Sequence, residues 1–313
     1  TCWTTDKQEM DDRGQYREGT QTVTAHEEYF ETKYYLVGSA SGEIEIQSGE
    51  HKFPFQCVLP TNIPSSFESD FGHVRYIVKA TLDRPWKFDQ EVKSPFTVIL
   101  PLDLNQEPRA SETVQEEMSK TFCCLCCGTP PLTVNYSLPV RGYVPGQSMP
   151  IKVNVENLSG VTVEAVKLIL CKIVTFRATT PSTDTRTEEI IVAEVSKGPV
   201  EGGGTADYEQ KLDIPSLPAS NLTNCGIIDL EYNLKVVAFL HKEKKKILFH
   251  KLKHVISGEQ KFEKSEKPKY RFKVFLGKAA KPTDRFWGTK RVNCNIIIER
   301  RILFLKKDCQ SLY

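Results

Sequence analysis

The sequence predicts an all-β protein made of two β-sandwich domains in tandem. Apolar residues alternate with polar residues along many short segments, as they do in half-buried antiparallel strands. These segments recur at roughly ten-residue intervals and are joined by turns rich in Pro and Gly, a spacing typical of sandwiches. The 313 residues are enough for two domains of about 150 residues, each with its own core.

The first domain is predicted over residues 1–105. Its strands are expected at Lys52–Leu59, Gly72–Asp83 and Phe96–Leu100, which are rich in Val, Ile, Phe or Tyr. Alternation stops after Pro101, and residues 106–130 are predicted to form a linker. The best candidate for a helix, the acidic stretch Glu112–Thr121, lies within it.

The second domain is predicted over residues 131–240. Strict alternation marks strands at Leu132–Leu138, Ile151–Val155 and Ile228–Val236. Between the first two, Val144-Pro145-Gly146-Gln147 has Pro and Gly at the central positions of a type II turn. This turn predicts that the first two strands pair.

The charge is unevenly distributed, although its net value is only +2. Residues 1–240 contain 21 Lys and Arg against 33 Asp and Glu, whereas residues 241–313 contain 21 against 7. Such an asymmetry indicates two regions with different roles. Residues 241–313 are therefore treated as a basic tail of uncertain structure, in which apolar stretches at 271–276 and 296–305 could add strands.

The ten cysteines are distributed unlike those of a secreted disulfide scaffold. Four of them, Cys123, Cys124, Cys126 and Cys127, lie within five consecutive positions. Neighbouring cysteines in one extended segment cannot form a disulfide with normal geometry. We therefore expect a reducing, cytoplasmic compartment. In that compartment the glycosylation sequons at Asn135, Asn157 and Asn221 are chance matches.

Two sequence blocks, one in each predicted domain, are far longer than a strand pattern. The first includes Gly49-Glu50-His51-Lys52-Phe53-Pro54-Phe55, Pro64-Ser65-Ser66-Phe67-Glu68 and Leu82-Asp83-Arg84-Pro85-Trp86. The second includes Arg141-Gly142-Tyr143-Val144-Pro145-Gly146-Gln147, Glu156-Asn157-Leu158-Ser159 and Leu212-Asp213-Ile214-Pro215. Over residues 1–240 the chain closely resembles the α-arrestins, or arrestin-domain-containing proteins. The resemblance implies two tandem immunoglobulin-like arrestin sandwiches, with the first strands of the N-terminal domain missing and a divergent basic tail.

Residues within these blocks have structural interpretations. Pro54 restricts its strand to a sheet edge or a bulge, and Phe53 and Phe55 share one face. Gly146 supplies the positive φ that its turn requires. Trp86 is expected to cap one end of the core.

The cysteine cluster, Cys123, Cys124, Cys126 and Cys127, allows three interpretations. The favoured one is packing of small apolar residues at the domain junction, since free Cys is often buried. S-acylation, which would tether the protein to a membrane, comes second. A zinc site is the least favoured, because four thiolates within five residues cannot easily surround one ion.

No catalytic, cofactor or metal motif is found among the six histidines or the Gly-rich run at 202–204. His51 and His73 lie in strand and turn motifs, where a structural role is favoured. The chain is therefore not expected to be an enzyme or to need a cofactor.

The resemblance implies a non-catalytic adaptor that links membrane receptors or transporters to ubiquitylation, endocytosis and endosomal sorting. Its partners would be cytoplasmic regions of membrane proteins, bound by strand addition, and it would act in the cytoplasm, peripheral to the plasma membrane and endosomes. Family members recruit ubiquitin ligases through Pro-Pro-x-Tyr motifs. This sequence has none, so ligase recruitment by that route is not supported.

The alternative function is binding of nucleic acid or of an anionic membrane through residues 241–313, with nucleic acid the less favoured partner. The candidate contacts for an anionic surface are Lys242, Lys244, Lys245, Lys246, Lys251 and Lys253. For the tail itself, the favoured interpretation is that it has no binding role, because runs of charge are weakly specific. Salt separates the first two functions, because binding through a charged tail weakens steeply with ionic strength.

Overall fold

The computed structural model describes residues 1–10, 16–40, 42, 44–46, 51–84, 86, 88–124, 127–128, 130–240, 246–257, 270–275 and 290–299. For residues 8–10, 16–17, 123–124, 127–128 and all those after 245, only the backbone is described. Strands make up most of the described chain, and the helices found in it are two short 3-10 segments, which confirms the all-β prediction.

The described residues before the linker form nine strands, in the order of the chain. They are β1 Cys2–Met10, β2 Tyr16–Thr24, β3 Thr32–Val37, β4 Ile44–Ile46, β5 Lys52–Cys57, β6 Phe67–Glu68, β7 His73–Val74, β8 Tyr76–Asp83 and β9 Gln90–Phe96. β1 pairs with β2, β6 pairs with β7, and β8 pairs with β9, all antiparallel. Strands were predicted at Lys52–Leu59 and Gly72–Asp83 and are found there. The strand predicted at Phe96–Leu100 is wrong, because β9 ends at Phe96.

The linker forms two 3-10 helices, Leu104–Gln106 and Pro108–Ser111, followed by β10 Val114–Lys120, β11 Cys123–Cys124 and β12 Cys127–Gly128. The helix predicted over Glu112–Thr121 is wrong. β10 pairs antiparallel with a second-domain strand, placing Val114 opposite Leu138. The backbone of β10 therefore satisfies its hydrogen bonds across a sheet rather than within a helix.

The second domain contains two sheets packed face to face. Its strands are β13 Leu132–Leu138, β14 Gly142–Tyr143, β15 Ser148–Asn157, β16 Val163–Ala178, β17 Asp184–Lys197, β18 Gly204–Asp213, β19 Ile228–Leu240 and β20 Lys246–Ser257. One sheet has the order β10-β13-β15-β18 and the other the order β14-β20-β19-β16-β17. Their inner faces share one buried apolar cluster, as expected for a sandwich.

The turn between β13 and β15 has the predicted form. Gln147 N–H donates to the Val144 carbonyl at 3.1 Å, and Gly146 has φ +87°. β13 and β15 pair antiparallel, with Val134 opposite Val155. Both the type II turn and the predicted pairing are confirmed.

Strands also occur after residue 240, where the sequence-based domain limit was drawn. β20 extends the second-domain sheet by pairing antiparallel with β19. Two further strands, β21 Tyr270–Phe275 and β22 Lys290–Glu299, pair with first-domain strands. β22 lies between β3 and β8 in the sheet order β3-β22-β8-β9.

The edge position expected for Pro54 is confirmed. Among the described strands β5 pairs with β21 alone, in a two-stranded sheet, and Phe53, Phe55 and Cys57 are the more buried residues of the strand. The position expected for Trp86 is wrong. Trp86 does not cap the core, because its side chain is fully exposed in the loop between β8 and β9.

Candidate interaction surfaces

The two domains touch through hydrogen bonds that join the start of the chain to β17 and to the segment before it. Trp3 Nε1 donates to Asp184 Oδ2 at 2.7 Å. Thr24 and Thr180 exchange two backbone hydrogen bonds, at 2.7 and 2.9 Å. Ser69 Oγ donates to Glu188 Oε2 at 3.1 Å. The first domain is therefore attached to the second at several separate points.

An aromatic contact completes this interface. Phe71 packs edge-on against Phe176, with ring centroids 5.9 Å apart, and the Arg186 guanidinium lies 3.7 Å from the Phe71 centroid. Gly72 leaves little room for a side chain, since a Cβ atom there would lie 3.0–3.1 Å from three interface atoms, which would have to move slightly. Phe71 and Phe176 belong to the same buried cluster, so the apolar core runs continuously from one domain into the other.

Two carboxylates have lowered pKa values: Glu68 in the first domain and Asp184 at the domain interface. The Trp3 indole N–H lowers the pKa of Asp184 by hydrogen bonding to its charged form. Arg75 donates two hydrogen bonds to Glu68, at 2.6 and 2.7 Å, and these lower the pKa of Glu68. Both carboxylates therefore remain ionised at neutral pH.

Among the strands that the structure describes, β17 is the longest at a sheet edge of the second domain. It is the last strand in its sheet, and its inner side pairs with β16. Asp184, Arg186 and Glu188, which share one face, contact the first domain. Farther along, Ile190 and Ile191 are 41% and 58% exposed. This edge presents main-chain donors and acceptors next to exposed apolar side chains, which is a surface that an extended peptide can pair with.

The outer face of the β10-β13-β15-β18 sheet forms a shallow groove of about 730 Å³. Its acidic side chains are Glu116, Glu117, Asp207 and Glu209, against the single Lys152. Asn154 crosses the groove floor and donates to Asp207 at 2.8 Å. The groove is polar and acidic, in contrast to the apolar centre of the β17 edge.

Cys123, Cys124 and Cys127 of the cysteine cluster lie in two short paired strands. β11 and β12 pair antiparallel, with Cys123 opposite Gly128 and Cys124 opposite Cys127. These strands run in opposite directions, so they are not one extended segment, as the sequence argument assumed. The four thiols lie outside the described side chains, so packing, acylation and metal binding stay predictions. The described side chains of Cys2, Cys57, Cys171 and Cys225 form no disulfide.

The candidate lysines of the basic tail are divided. Lys246, Lys251 and Lys253 lie in β20, where Lys251 is opposite Lys235 and Lys253 is opposite Asn233 of β19. Lys242, Lys244 and Lys245 fall outside the described residues. The structure thus places half of these lysines in the second-domain sheet.

Asn157, a sequon residue, is completely buried. Its Nδ2 donates to the carbonyl oxygens of Val161, Val200 and Glu201 at 2.9, 3.2 and 3.1 Å, and its Oδ1 accepts from Ser159 Oγ. The nitrogen that a glycan would occupy is thus engaged inside the fold. Asn157 holds the turn after β15 against the loop before β18.

The structure places the two candidate histidines of the first domain in structural positions. His73 is buried in β7, and His51 stacks on Phe53 with ring centroids 6.1 Å apart. Across the described side chains, no group of three or more His, Cys, Asp or Glu could hold a metal ion. Among the described residues, no helix has both the length and the apolar composition needed to cross a bilayer.

Two family models match the chain in the order of its domains. Residues 1–105 match "Arrestin (or S-antigen), N-terminal domain" and residues 129–261 match "Arrestin (or S-antigen), C-terminal domain". The chain belongs to the arrestin-domain-containing, or α-arrestin, family. This confirms the resemblance and the two-domain arrestin fold, and the second match extends to the region of β20.

Curated relatives agree with this assignment. The chain is 34% identical to arrestin domain-containing protein 17 of Caenorhabditis elegans over 197 residues, 61% of this chain and 45% of that protein. It is 32% identical to mouse (Mus musculus) arrestin domain-containing protein 1 over 211 residues, 67% of this chain and 47% of that one. The human (Homo sapiens) arrestin domain-containing protein 4 is 31% identical over 232 residues, 72% and 54% of the two chains. The chain thus spans about half the length of these relatives.

Proposed function

We propose that this α-arrestin is a non-catalytic adaptor that binds cytoplasmic segments of membrane receptors or transporters. By binding these receptors and transporters, it links them to ubiquitylation, endocytosis and endosomal sorting, at the cytoplasmic face of the plasma membrane and endosomes. Membership of the arrestin-domain family supports the adaptor role. The observation that carries the mode of binding is the open edge of β17.

In this proposal, cargo adds as a strand along the second half of β17. The first half is occupied by the domain interface, through Asp184, Arg186 and Glu188. Ile190 and Ile191 lie beyond it, and adjacent residues of a strand point to opposite faces. A bound peptide would therefore cover one isoleucine on each face of the extended sheet, while main-chain hydrogen bonds supply most of the affinity.

The test is capture of solubilised membrane proteins by the immobilised chain, quantified by mass spectrometry. Lysines on an edge strand oppose further pairing, so Ile190→Lys/Ile191→Lys should lose receptors and transporters. Leu158→Lys, at an exposed apolar residue in the turn after β15, is the matched control and should retain them. Equal recovery by the edge variant and the wild type would contradict strand addition at β17.

The same capture separates the adaptor from the alternative function, binding through the basic tail. Main-chain pairing changes little with salt, whereas contacts with phosphates weaken steeply as ionic strength rises. Neutralising Lys244, Lys245 and Lys246 to Gln should leave adaptor partners in place. If the lysine variant loses the partners while the β17 edge variant keeps them, and those partners are nucleic acids or dissociate in salt, the tail carries the function.

A further inference from the structure

The loop that joins β8 to β9 exposes two aromatic rings. Trp86 is fully exposed and Phe88 is 94% exposed. Isolated apolar side chains on a surface need no explanation, but two adjacent large rings left wholly in water do. We call Arg84, Trp86 and Phe88 the aromatic tip. Pro85 and Lys87, which alternate with them, lie outside the described residues and form no part of the site.

Two described features hold the aromatic tip. Arg84 donates from its guanidinium to the Phe88 carbonyl at 2.7 Å, which links the two ends of the tip. Trp86 has φ +63°, a left-handed conformation that is uncommon for a bulky residue. Trp86 therefore has an unfavourable backbone conformation while its ring is fully exposed to solvent.

The tip lies at the end of the first domain that is remote from the second. The opposite end of the β8–β9 hairpin is formed by Tyr76 and Phe96, whose rings pack together. Tyr76 belongs to the buried cluster that continues into the second domain. Since a strand rises about 3.3 Å per residue, the length of β8 separates the tip from that end by roughly 25 Å. A flat surface can approach the tip without meeting the second domain.

Basic and apolar positions surround the tip. β22 pairs with Asp83 through Asn293, and its preceding residues, Arg291 and Lys290, continue toward the tip end of the sheet. The neighbouring strand β4 pairs with this part of β22, with Ile44, which is 46% exposed, opposite Val292 and Glu45 opposite Arg291. With Arg84 on the tip itself, this end combines exposed rings with cationic positions, and Asp83, Asp89 and Glu45 lie among them.

We infer that the aromatic tip inserts Trp86 and Phe88 into the interfacial region of an anionic phospholipid bilayer. Indole and phenyl rings partition to the headgroup level of a membrane, where the indole N–H stays hydrated. Cations beside them gain from the negative surface potential of anionic lipid. The inference rests on the proposed function in placing the protein at membranes, and it adds a direct lipid contact that needs no cargo.

The experiment uses the purified full chain and vesicles without any cargo protein. Co-sedimentation is measured with phosphatidylcholine vesicles and with vesicles that contain about 30% phosphatidylserine. Trp86→Ser/Phe88→Ser should reduce the partition coefficient for the anionic vesicles by about tenfold or more, the effect of withdrawing two partly inserted rings. The matched control is Val58→Ser/Ile99→Ser, two first-domain residues that are 76% and 68% exposed away from the tip; it should bind as the wild type does.

Tryptophan fluorescence provides a second readout of insertion. Anionic vesicles should shift the wild-type emission to shorter wavelength, and lipids brominated near the headgroup should quench it; both effects should be lost with Trp86→Phe, which keeps an apolar ring at the apex. Undiminished co-sedimentation of the double variant, or an unchanged emission shift in Trp86→Phe, would overturn the inference. Retained cargo capture by the tip variant would leave the adaptor proposal intact, because capture in detergent involves no bilayer.

Discussion

Asn157 provides a sharp test of how the second domain is held together. In a fully buried site, its two amide N–H donors are shared among three backbone carbonyls, and its Oδ1 accepts from Ser159 Oγ. Asn157→Ala removes both donors and the acceptor. At about 1 kcal/mol net for each of these three hydrogen-bonding groups, the free energy of unfolding should fall by about 3 kcal/mol. Asn157→Asp should cost more, since it turns a carboxylate oxygen toward three carbonyl oxygens.

The assay is equilibrium unfolding of the full chain in urea, followed by tryptophan fluorescence and circular dichroism. With a denaturant slope of about 2 kcal/mol/M, a loss of 3 kcal/mol lowers the midpoint by about 1.5 M. The control is Asn154→Ala on the same strand, whose amide donates to Asp207 at the exposed sheet surface and accepts a long bond of 3.4 Å from Asn135; its midpoint should move by less than about 0.5 M. A similarly small shift for Asn157→Ala would refute the reasoning.

Three further predictions concern the domain interface and the first domain. Gly72→Ala should lower the free energy of unfolding by about 1–3 kcal/mol, because its Cβ meets side chains of both domains at 3.0–3.1 Å; a thermal melt no lower than wild type would contradict this. Trp3→Phe should raise the pKa of Asp184 toward its ordinary value, since the indole N–H is the main cause of the lowering, and carboxyl ¹³C shifts during an NMR titration would report it. Glu68 has a lowered pKa in the folded state, so its pairing with Arg75 stabilises the fold above the unfolded pKa of about 4.3 and the benefit disappears as pH falls through the folded value. Glu68→Gln should therefore lower stability at pH 7 by less than about 1 kcal/mol and leave it unchanged near pH 2, as melts at the two pH values would show.

Features that depend on neighbours in sequence were predictable. Pro145 and Gly146 define a turn by their own backbone preferences, and the structure shows that turn. Pro54 limits its strand to an edge whatever the rest of the chain does. Local chemistry was sufficient in both cases.

Features that depend on distant partners were not predictable from local patterns. Val114 and Met118 are four residues apart, a spacing that puts them on one face of either a helix or a strand. Only the pairing of β10 with β13 decides for a strand. Trp86 was misplaced for a related reason, since a large ring is normally buried and nothing in the adjoining residues indicates exposure.

The candidate surfaces show the same division. The arrestin family could be recognised from two long motif blocks, but neither block contains Ile190 or Ile191. The β17 edge could be located only when the sheet order was known, because an edge strand is one that has a neighbouring strand on one side only. The pairing of β21 and β22 with the first domain likewise has no signature in the basic composition of that region.

The position of β22 between β3 and β8 also determines the order in which the domains mature on the ribosome. The second-domain strands have all been synthesised by the end of β20, whereas the sheet of the first domain still lacks an inner strand. About 200 residues separate β8 from β22, which at ~5–20 residues per second leaves an interval of roughly 10–40 s. During that interval the facing edges of β3 and β8 are open to other nascent chains. The domain that is translated first is therefore completed last, and its exposure to chaperones during synthesis is set by the length of chain that separates these two strands.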